Sequence, residues 1–105
     1  MTFDAYERSL ELLRALAPLL ARLAVLDDNL ASQARRAATS VALNVAEAGG
    51  RIGGDKLHHV RIALGSLREV GAVLDIAAAH GWLAAPPMAA ERDRLGALLY
   101  GLQRR

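Results

Sequence analysis

Two helical stretches joined by a glycine-rich break constrain the fold most strongly. The segment runs from Gln33 to Glu69 and reads QARRAATSVALNVAEAGGRIGGDKLHHVRIALGSLRE. Alanine and leucine are strong helix formers, whereas clustered glycines end helices. The pattern therefore predicts two helices that are joined by a short loop and carry polar side chains within small, apolar faces.

Composition restricts the fold class further. Hydrophobic residues make up 53% of the 105-residue chain but aromatic residues only 4%, so the core must consist of alanine, leucine and valine. A chain of this length forms one domain, residues 1–105, and the abundance of helix formers predicts an all-α class. The chain has no cysteine, which excludes disulfides and thiolate metal sites.

The sequence also bears on where the protein resides. The N-terminal residues MTFDAYERS lack a basic segment followed by an apolar run, so they do not resemble a signal peptide. No stretch of about 18 residues is apolar and free of charge, so no transmembrane helix is expected. A cytoplasmic protein with no membrane partner is predicted.

Helix 1 is predicted from Phe3 or Asp4 to about Ala24, because apolar residues recur there at spacings of three and four. Thr2 or Asp4 is expected to cap its N-terminus. Pro18 lies inside the pattern, where proline removes a backbone hydrogen bond and clashes with the preceding turn. The helix is therefore expected to kink at Pro18 or to break there.

Helices 2 and 3 flank the glycine-rich break. Helix 2 is predicted from about Asn29 to Ala48, with Asp27 or Asp28 as its N-cap. Helix 3 is predicted from its N-cap Asp55 to about Ala79, with Gly81 as its C-terminal stop. The loop between them comprises Gly49, Gly50, Arg51, Ile52, Gly53 and Gly54.

Helix 3 carries two stripes on opposite sides. One consists of Leu57, Val60, Leu64, Leu67, Gly71, Leu74 and Ala78, and the other of Ile62, Ser66, Glu69, Val73 and Ile76. A surface helix of a single bundle needs only one apolar face. The second stripe is therefore expected to contact another subunit.

Helix 4 is expected to begin at Pro86-Pro87, since proline is favoured in a first turn. Trp82 and Leu83 precede it as a hydrophobic plug. Its apolar side consists of Met88, Leu95, Leu98, Leu99 and Leu102. Four helices with short connections predict an up-and-down antiparallel four-helix bundle.

A specific motif runs through helices 2 and 3. It consists of Gln33, Arg36-Ala37-Ala38, Ser40, Asn44-Val45-Ala46-Glu47-Ala48, and Ala63-Leu64-Gly65-Ser66-Leu67 with Glu69. It resembles a family of small bacterial four-helix-bundle proteins named for open reading frames in intervening sequences of 23S ribosomal RNA genes. The resemblance covers about residues 30–83. The chain departs from the family pattern at Ala48, where glycine is usual, but Gly49 follows at once.

The resemblance implies a four-helix bundle that assembles into a ring-like homopentamer, with no established activity. A bundle related to this family, the accessory protein of diversity-generating retroelements, is similar in fold and pentameric state. That protein partners a reverse transcriptase and binds nucleic acid. Fold-level analogy of this kind is a weak basis for function.

Five polar residues lie within the apolar patterns of helices 2 and 3: Ser40, Asn44, Glu47, Ser66 and Glu69. Carboxylates that face each other across helices can form an acid–base pair. They can also hydrogen-bond across helices and pair with Arg36 or Arg68. No nucleophile or cofactor fingerprint stands beside them. The five residues are therefore interpreted as a structural polar network, with no catalytic residue and no cofactor.

Two further motifs offer weaker candidates. Asp55 and His58 have the spacing of a surface metal site, but bundle metal sites use two carboxylate–histidine motifs and no second copy is present. The GGRIGG loop lies before a helix N-terminus but lacks the lysine of a phosphate-binding loop. No metal ligand is assigned, and the loop is interpreted as a helix connection.

Basic residues gather near this loop: Arg35, Arg36, Arg51, Lys56, His59 and Arg61. Repeated around a ring, they would form a positive band able to hold a phosphate backbone. The first hypothesis is thus a non-enzymatic homo-oligomeric scaffold or adaptor, with itself or another protein as partner. The alternative is an accessory protein that binds RNA or DNA, beside a reverse transcriptase or a ribonucleoprotein. An enzyme built on Asn44, Glu47 and Glu69 is the third.

Overall fold

Four helices make up the part of the chain that the computed structural model describes, residues 2–84 and 88–103, with only the backbone described at Thr2 and Phe3. They are α1 (Thr2–Leu26), α2 (Asp28–Gly49), α3 (Gly53–Ala79) and α4 (Ala89–Gln103). No strand occurs within these ranges, so the predicted all-α class is confirmed. The predicted start of helix 4 at Pro86-Pro87 lies outside the described residues.

α1 continues through Pro18 without interruption, so of the two expected outcomes, a kink or a break, the break does not occur. Leu16 and Leu20 are both buried and anchor the helix on either side of the proline. Pro18 itself is exposed, so the backbone carbonyl that loses its partner lies on the solvent side. Asp4 lies within the first turn rather than at the cap, where its carboxylate still faces the positive end of the helix dipole.

α2 begins after Asp27, which is one of the two predicted N-caps. The Asp27 backbone is extended, and its Oδ1 accepts a hydrogen bond of 2.9 Å from the amide of Leu30. This bond satisfies one of the amides that the first turn leaves without a partner. The prediction of an Asp cap at this turn is confirmed.

α3 begins two residues before the predicted cap. Its N-cap is Ile52, which makes no capping hydrogen bond, and Asp55 lies inside the first turn. The prediction of Asp55 as the cap is therefore wrong, because this carboxylate accepts a hydrogen bond from Arg51 instead. The left-handed backbone of Gly53 (φ +63°) lets the chain turn directly into the helix, which shortens the connection to residues 50–52.

α3 ends at Ala79, just before Gly81, the predicted glycine stop. Gly81 has a φ of +80°, a conformation that favours glycine. The amide of Gly81 donates to the carbonyl of Ala78, and that of Trp82 donates to the carbonyl of Ala77. These two bonds form a Schellman motif. Trp82 packs against the core and stacks on the His80 ring at 4.3 Å, as expected for a plug.

The helices pack in a cycle, α2 against α1 and α3, and α4 against α3 and α1. The buried side of α2 is formed by Ala31, Ala34, Ala37, Ala38, Val41, Ala42, Val45 and Ala48. These small residues face larger leucines and valines on α1 and α3. Leu95, Leu99 and Leu102 supply the buried side of α4. Within the described residues, no helix has both the length and the hydropathy needed to span a membrane.

Candidate functional site

A chain of hydrogen bonds joins α2 and α3 through half-buried side chains. The Ser66 hydroxyl donates to Ser40 Oγ at 2.9 Å. Asn44 Nδ2 donates to the carbonyl oxygen of Ser40 at 2.9 Å and to its Oγ at 3.2 Å. Asn44 Oδ1 lies 3.0 Å from Nδ1 of His59. An amide oxygen only accepts, so Nδ1 is the donor of this hydrogen bond.

These four residues, Ser40, Asn44, His59 and Ser66, are called the polar cluster below. Their hydrogen bonds cross between antiparallel helices at two heights, Ser40 to Ser66 and Asn44 to His59. Half-buried polar groups that bond in this way fix the register of two helices. His59 was predicted as a nucleic-acid contact and missed as a member of this cluster. Its position seven residues before Ser66, two helical turns away on the same side, could have identified it.

Two of the five predicted network residues lie elsewhere. Glu47 is exposed, and its carboxylate accepts a hydrogen bond of 3.1 Å from Arg51. Glu69 is also exposed and forms no hydrogen bond or ion pair within the described part of the chain. The structure thus brings Ser40, Asn44 and Ser66 together but leaves both carboxylates out. The expected arginine pairs do not form either, since Arg36 donates to Ser32 and Arg68 to Tyr100.

Arg51 links the end of α2 to the start of α3. Its Nη1 donates to Asp55 at 2.8 Å, and its Nη2 donates to Glu47 at 3.1 Å. The hydrogen bond to Asp55, and then that to Glu47, raise the pKa of the Arg51 guanidinium above its usual value. Two carboxylates thus accept hydrogen bonds from the Arg51 guanidinium in this conformation.

The other predicted nucleic-acid contacts lie at the surface or half-buried. Arg35 and Arg61 are exposed and Lys56 is half-buried, and none of the three forms an ion pair among the described residues. Arg36 is exposed and donates to the Ser32 hydroxyl at 2.8 Å. No group of three metal-ligating side chains occurs in the described residues.

An exposed surface with large apolar residues runs along the outside of α2 and α3, next to the polar cluster. Leu43 is 61% exposed, Ile62 37% and Ile76 47%. We define the outer α2–α3 face as Arg36, Leu43, Ile62, Gly65, Glu69 and Ile76. On α2 it merges with an open depression of about 380 Å³, lined by Arg35, Arg36, Thr39, Ser40, Leu43 and Asn44. Val73, which was predicted in the same stripe of α3, is buried within the subunit.

The sequence interpretation missed a second polar contact, between α3 and α4. The Arg92 side chain lies over Gly71, whose missing Cβ leaves room for the guanidinium. Arg92 Nη2 lies 3.5 Å from Oδ1 of Asp75, while its Nε is buried without a hydrogen-bond partner. This arginine helps to position α4 on α3, and no periodicity in the sequence marks it.

The fold and the polar cluster define a small all-helical protein whose two best-packed helices are joined by half-buried hydrogen bonds. The sequence profile of the 23S rRNA-intervening sequence protein family matches residues 1–100, so the chain belongs to this family. The resemblance seen in helices 2 and 3 is thereby confirmed over nearly the whole chain.

A crystal structure with the same fold comes from Bacteroides thetaiotaomicron. It is a protein with unknown function from the S23 ribosomal protein family, and it superposes with a TM-score of 0.86 at 18% identity. The match covers 99% of this chain and 98% of that chain. At this identity the likeness supports the fold alone. A search of curated proteins finds no match.

The Ser40–Ser66 hydrogen bond can be tested with a double-mutant cycle. Ser40→Ala and Ser66→Ala are each expected to lower the free energy of unfolding by about 0.5–1.5 kcal/mol, because each removes one partner of a half-buried bond. The double variant should lose less than the sum of the two, since the second substitution breaks no further bond between the pair. Urea unfolding followed by circular dichroism measures all three.

The matched control is Thr39→Ala, one residue from Ser40. Thr39 is exposed, and its hydroxyl bonds only to the Arg35 carbonyl of its own helix. This variant should change stability by less than about 0.5 kcal/mol. Strict additivity of the two serine substitutions would contradict a direct bond between α2 and α3.

Proposed function

We propose that this protein is a non-enzymatic homo-oligomeric scaffold or adaptor that assembles through its outer α2–α3 face. The observation that carries the proposal is the exposure of Leu43, Ile62 and Ile76 on neighbouring helices. Fully burying a side chain of this size contributes roughly 1.5–3 kcal/mol. A second copy of the chain is the proposed occupant, and a ring of five is the size that the family resemblance favours.

The polar cluster supports a structural rather than a catalytic role for this region. Ser40 is hydrogen-bonded to both Asn44 and Ser66, and His59 is bonded to Asn44. Their polar atoms therefore hold α2 and α3 in register beneath the proposed interface. Rigid neighbouring helices present a defined surface, which reduces the ordering cost of association.

Light scattering on the purified chain tests the proposal. The wild-type particle is expected to be a multiple of the 11.2 kDa chain, with a pentamer as the predicted size. Leu43→Arg and Ile62→Arg should each shift the particle toward the monomer, because a charge would then be buried in an apolar contact. Both sites are exposed, and arginine is a good helix former, so the variants should fold.

Val25→Arg is the matched control for these variants. Val25 is 86% exposed on α1, away from the outer α2–α3 face. It should leave the particle mass unchanged. A wild-type monomer would overturn the proposal, and equal dissociation by Val25→Arg would place the interface elsewhere.

The second candidate function is nucleic-acid binding. The observation that favours it is that Arg35, Lys56 and Arg61 form no ion pair in the described residues, so their charges remain available to phosphate. A retroelement-type accessory protein that partners a reverse transcriptase, or a component of a ribonucleoprotein, would fit such a surface. Arg51 already forms ion pairs with Asp55 and Glu47.

Adding short RNA and DNA duplexes to the light-scattering samples at low and high salt separates the two candidates. Binding through phosphates should weaken as salt rises. Lys56→Glu and Arg61→Glu should abolish it without changing the oligomer, whereas Arg22→Glu on the exposed side of α1 should not. No complex at low salt would exclude this candidate and leave the scaffold.

A further inference from the structure

We infer that the cleft between α3 and α4 is a binding site for a short peptide with small side chains and free ends. The carboxylate of the peptide binds Arg68 and Tyr100, and its ammonium group binds Asp93. The cleft has a volume of about 380 Å³, which lies in the range of small-molecule sites. None of its lining residues belongs to the outer α2–α3 face, so this inference stands apart from the proposed function.

Arg68 and Tyr100 form the positive end of the cleft. Arg68 Nη2 donates to the Tyr100 hydroxyl at 3.0 Å, and Arg68 forms no ion pair among the described residues. A guanidinium has five N–H donors, and a hydroxyl that accepts a hydrogen bond keeps its own proton to donate. Both side chains are exposed. The pair therefore offers adjacent donors to one carboxylate, a group that arginine binds well.

Asp75 and Asp93 form the negative end of the cleft. Asp75 Oδ1 lies 3.5 Å from Arg92 Nη2, whereas Asp93 is exposed and forms no ion pair in the described part of the chain. Two carboxylates and one guanidinium line this end, so one negative charge remains unbalanced. An ammonium group supplies a compact positive charge with three donors. Asp93 is therefore its acceptor.

The two ends have the same separation on both helices. Arg68 and Asp75 are seven residues apart on α3, and Asp93 and Tyr100 are seven residues apart on α4. Seven residues rise by roughly 10 Å along a helix. Three residues of extended chain also span roughly 10 Å. The carboxylate and the ammonium group of an extended tripeptide can thus reach both ends of the cleft at once.

Small residues line the middle of the cleft. Ala72 on α3 and Gly96 on α4 lie between the charged ends. A Cβ at Gly96 would meet only Leu67 Cδ2, at an ordinary contact distance of 3.8 Å, so packing within the subunit does not require glycine here. Glycine is unfavourable inside a helix. Its missing side chain keeps the cleft open and lets a peptide with small side chains approach the backbone.

Titration calorimetry with trialanine tests the site, and amide chemical shifts of the isotope-labelled protein locate it. Trialanine is expected to bind with a Kd on the order of 1 mM, because its small size limits the affinity. The shifts should be confined to α3 and α4 around the cleft. N-acetyl-trialanine lacks the ammonium group, and trialanine amide lacks the carboxylate. Each should bind roughly tenfold more weakly, because each loses a charge-assisted hydrogen bond.

Two variants assign the ends of the peptide. Arg68→Gln should weaken the binding of trialanine roughly tenfold but leave the affinity for trialanine amide unchanged. Asp93→Asn should weaken the binding of trialanine in the same way but not that of N-acetyl-trialanine. Both positions are exposed, so the variants should fold. Arg22→Gln on the exposed side of α1 is the matched control and should bind trialanine like the wild type.

The outcomes separate this inference from the proposed function. No binding of trialanine at concentrations well above the expected Kd overturns the inference, as does equal affinity for the three peptides. Shifts confined to the outer α2–α3 face place the binding elsewhere and overturn it too. An equal loss of affinity in Arg22→Gln would show that net charge, and not the cleft, attracts the peptide. A monomer in light scattering overturns the proposed function and leaves this inference standing.

Discussion

Replacing Leu74 by alanine is expected to lower the free energy of unfolding by about 2–5 kcal/mol. Leu74 is fully buried in α3, the helix that packs against both α2 and α4. Truncation removes apolar contact area and leaves a cavity that surrounding helices can fill only in part. Urea unfolding at one fixed protein concentration, followed by circular dichroism, measures the loss.

Val25→Ala is the control for this substitution. Val25 is 86% exposed, so its truncation should change stability by less than about 0.5 kcal/mol. A Leu74→Ala variant as stable as Val25→Ala would show that α3 is not central to the core. A loss of stability between these two values would indicate that α4 shifts to fill the cavity.

The second large effect is expected from enlarging a side chain on the alanine-rich side of α2. Ala34→Leu should lower the free energy of unfolding by about 1–3 kcal/mol, because Ala34 is fully buried and leucine would force neighbouring helices apart. Alanine and leucine have similar helix propensities, so the loss would report packing and not local structure. The same unfolding measurement applies.

Ala21→Leu provides the comparison, because Ala21 is exposed on α1. Ala21→Leu should leave the free energy of unfolding nearly unchanged. If Ala34→Leu proved equally neutral, the separation between α2 and its neighbours would be larger than the structure shows. A close approach is also required by the Ser40–Ser66 bond of 2.9 Å, since two short hydroxyl side chains span it.

The helices themselves follow from the sequence with small errors. The predicted bounds of α2 and the end of α3 lie within one residue of the observed ones, because a capping aspartate and a stop glycine mark them. The N-cap of α3 was placed at Asp55, three residues after the observed N-cap Ile52. The Asp55 carboxylate could accept a hydrogen bond from a backbone amide of the first turn or from the Arg51 side chain. Both donors are a few residues away in the sequence, so the sequence alone does not decide between them.

The candidate site was less predictable. Ser40, Asn44 and Ser66 lie together in the structure, and their spacing puts them on facing stripes. Glu47 and Glu69 share the same spacing but lie farther toward solvent, where Glu47 bonds to Arg51. Periodicity gives the angle of a side chain around its own helix to within tens of degrees. That precision does not separate a half-buried position from an exposed one.

The sequence by itself determined the all-α class, the helix order and most of the core stripes of α3 and α4, since these depend on helix propensity and on the 3.6-residue period. The tertiary structure decided which polar groups meet. It brought His59 to Asn44 and laid Arg92 over Gly71. Such contacts depend on the register and separation of two helices, which arise from packing small alanines against larger side chains. No pattern within a single helix contains that information.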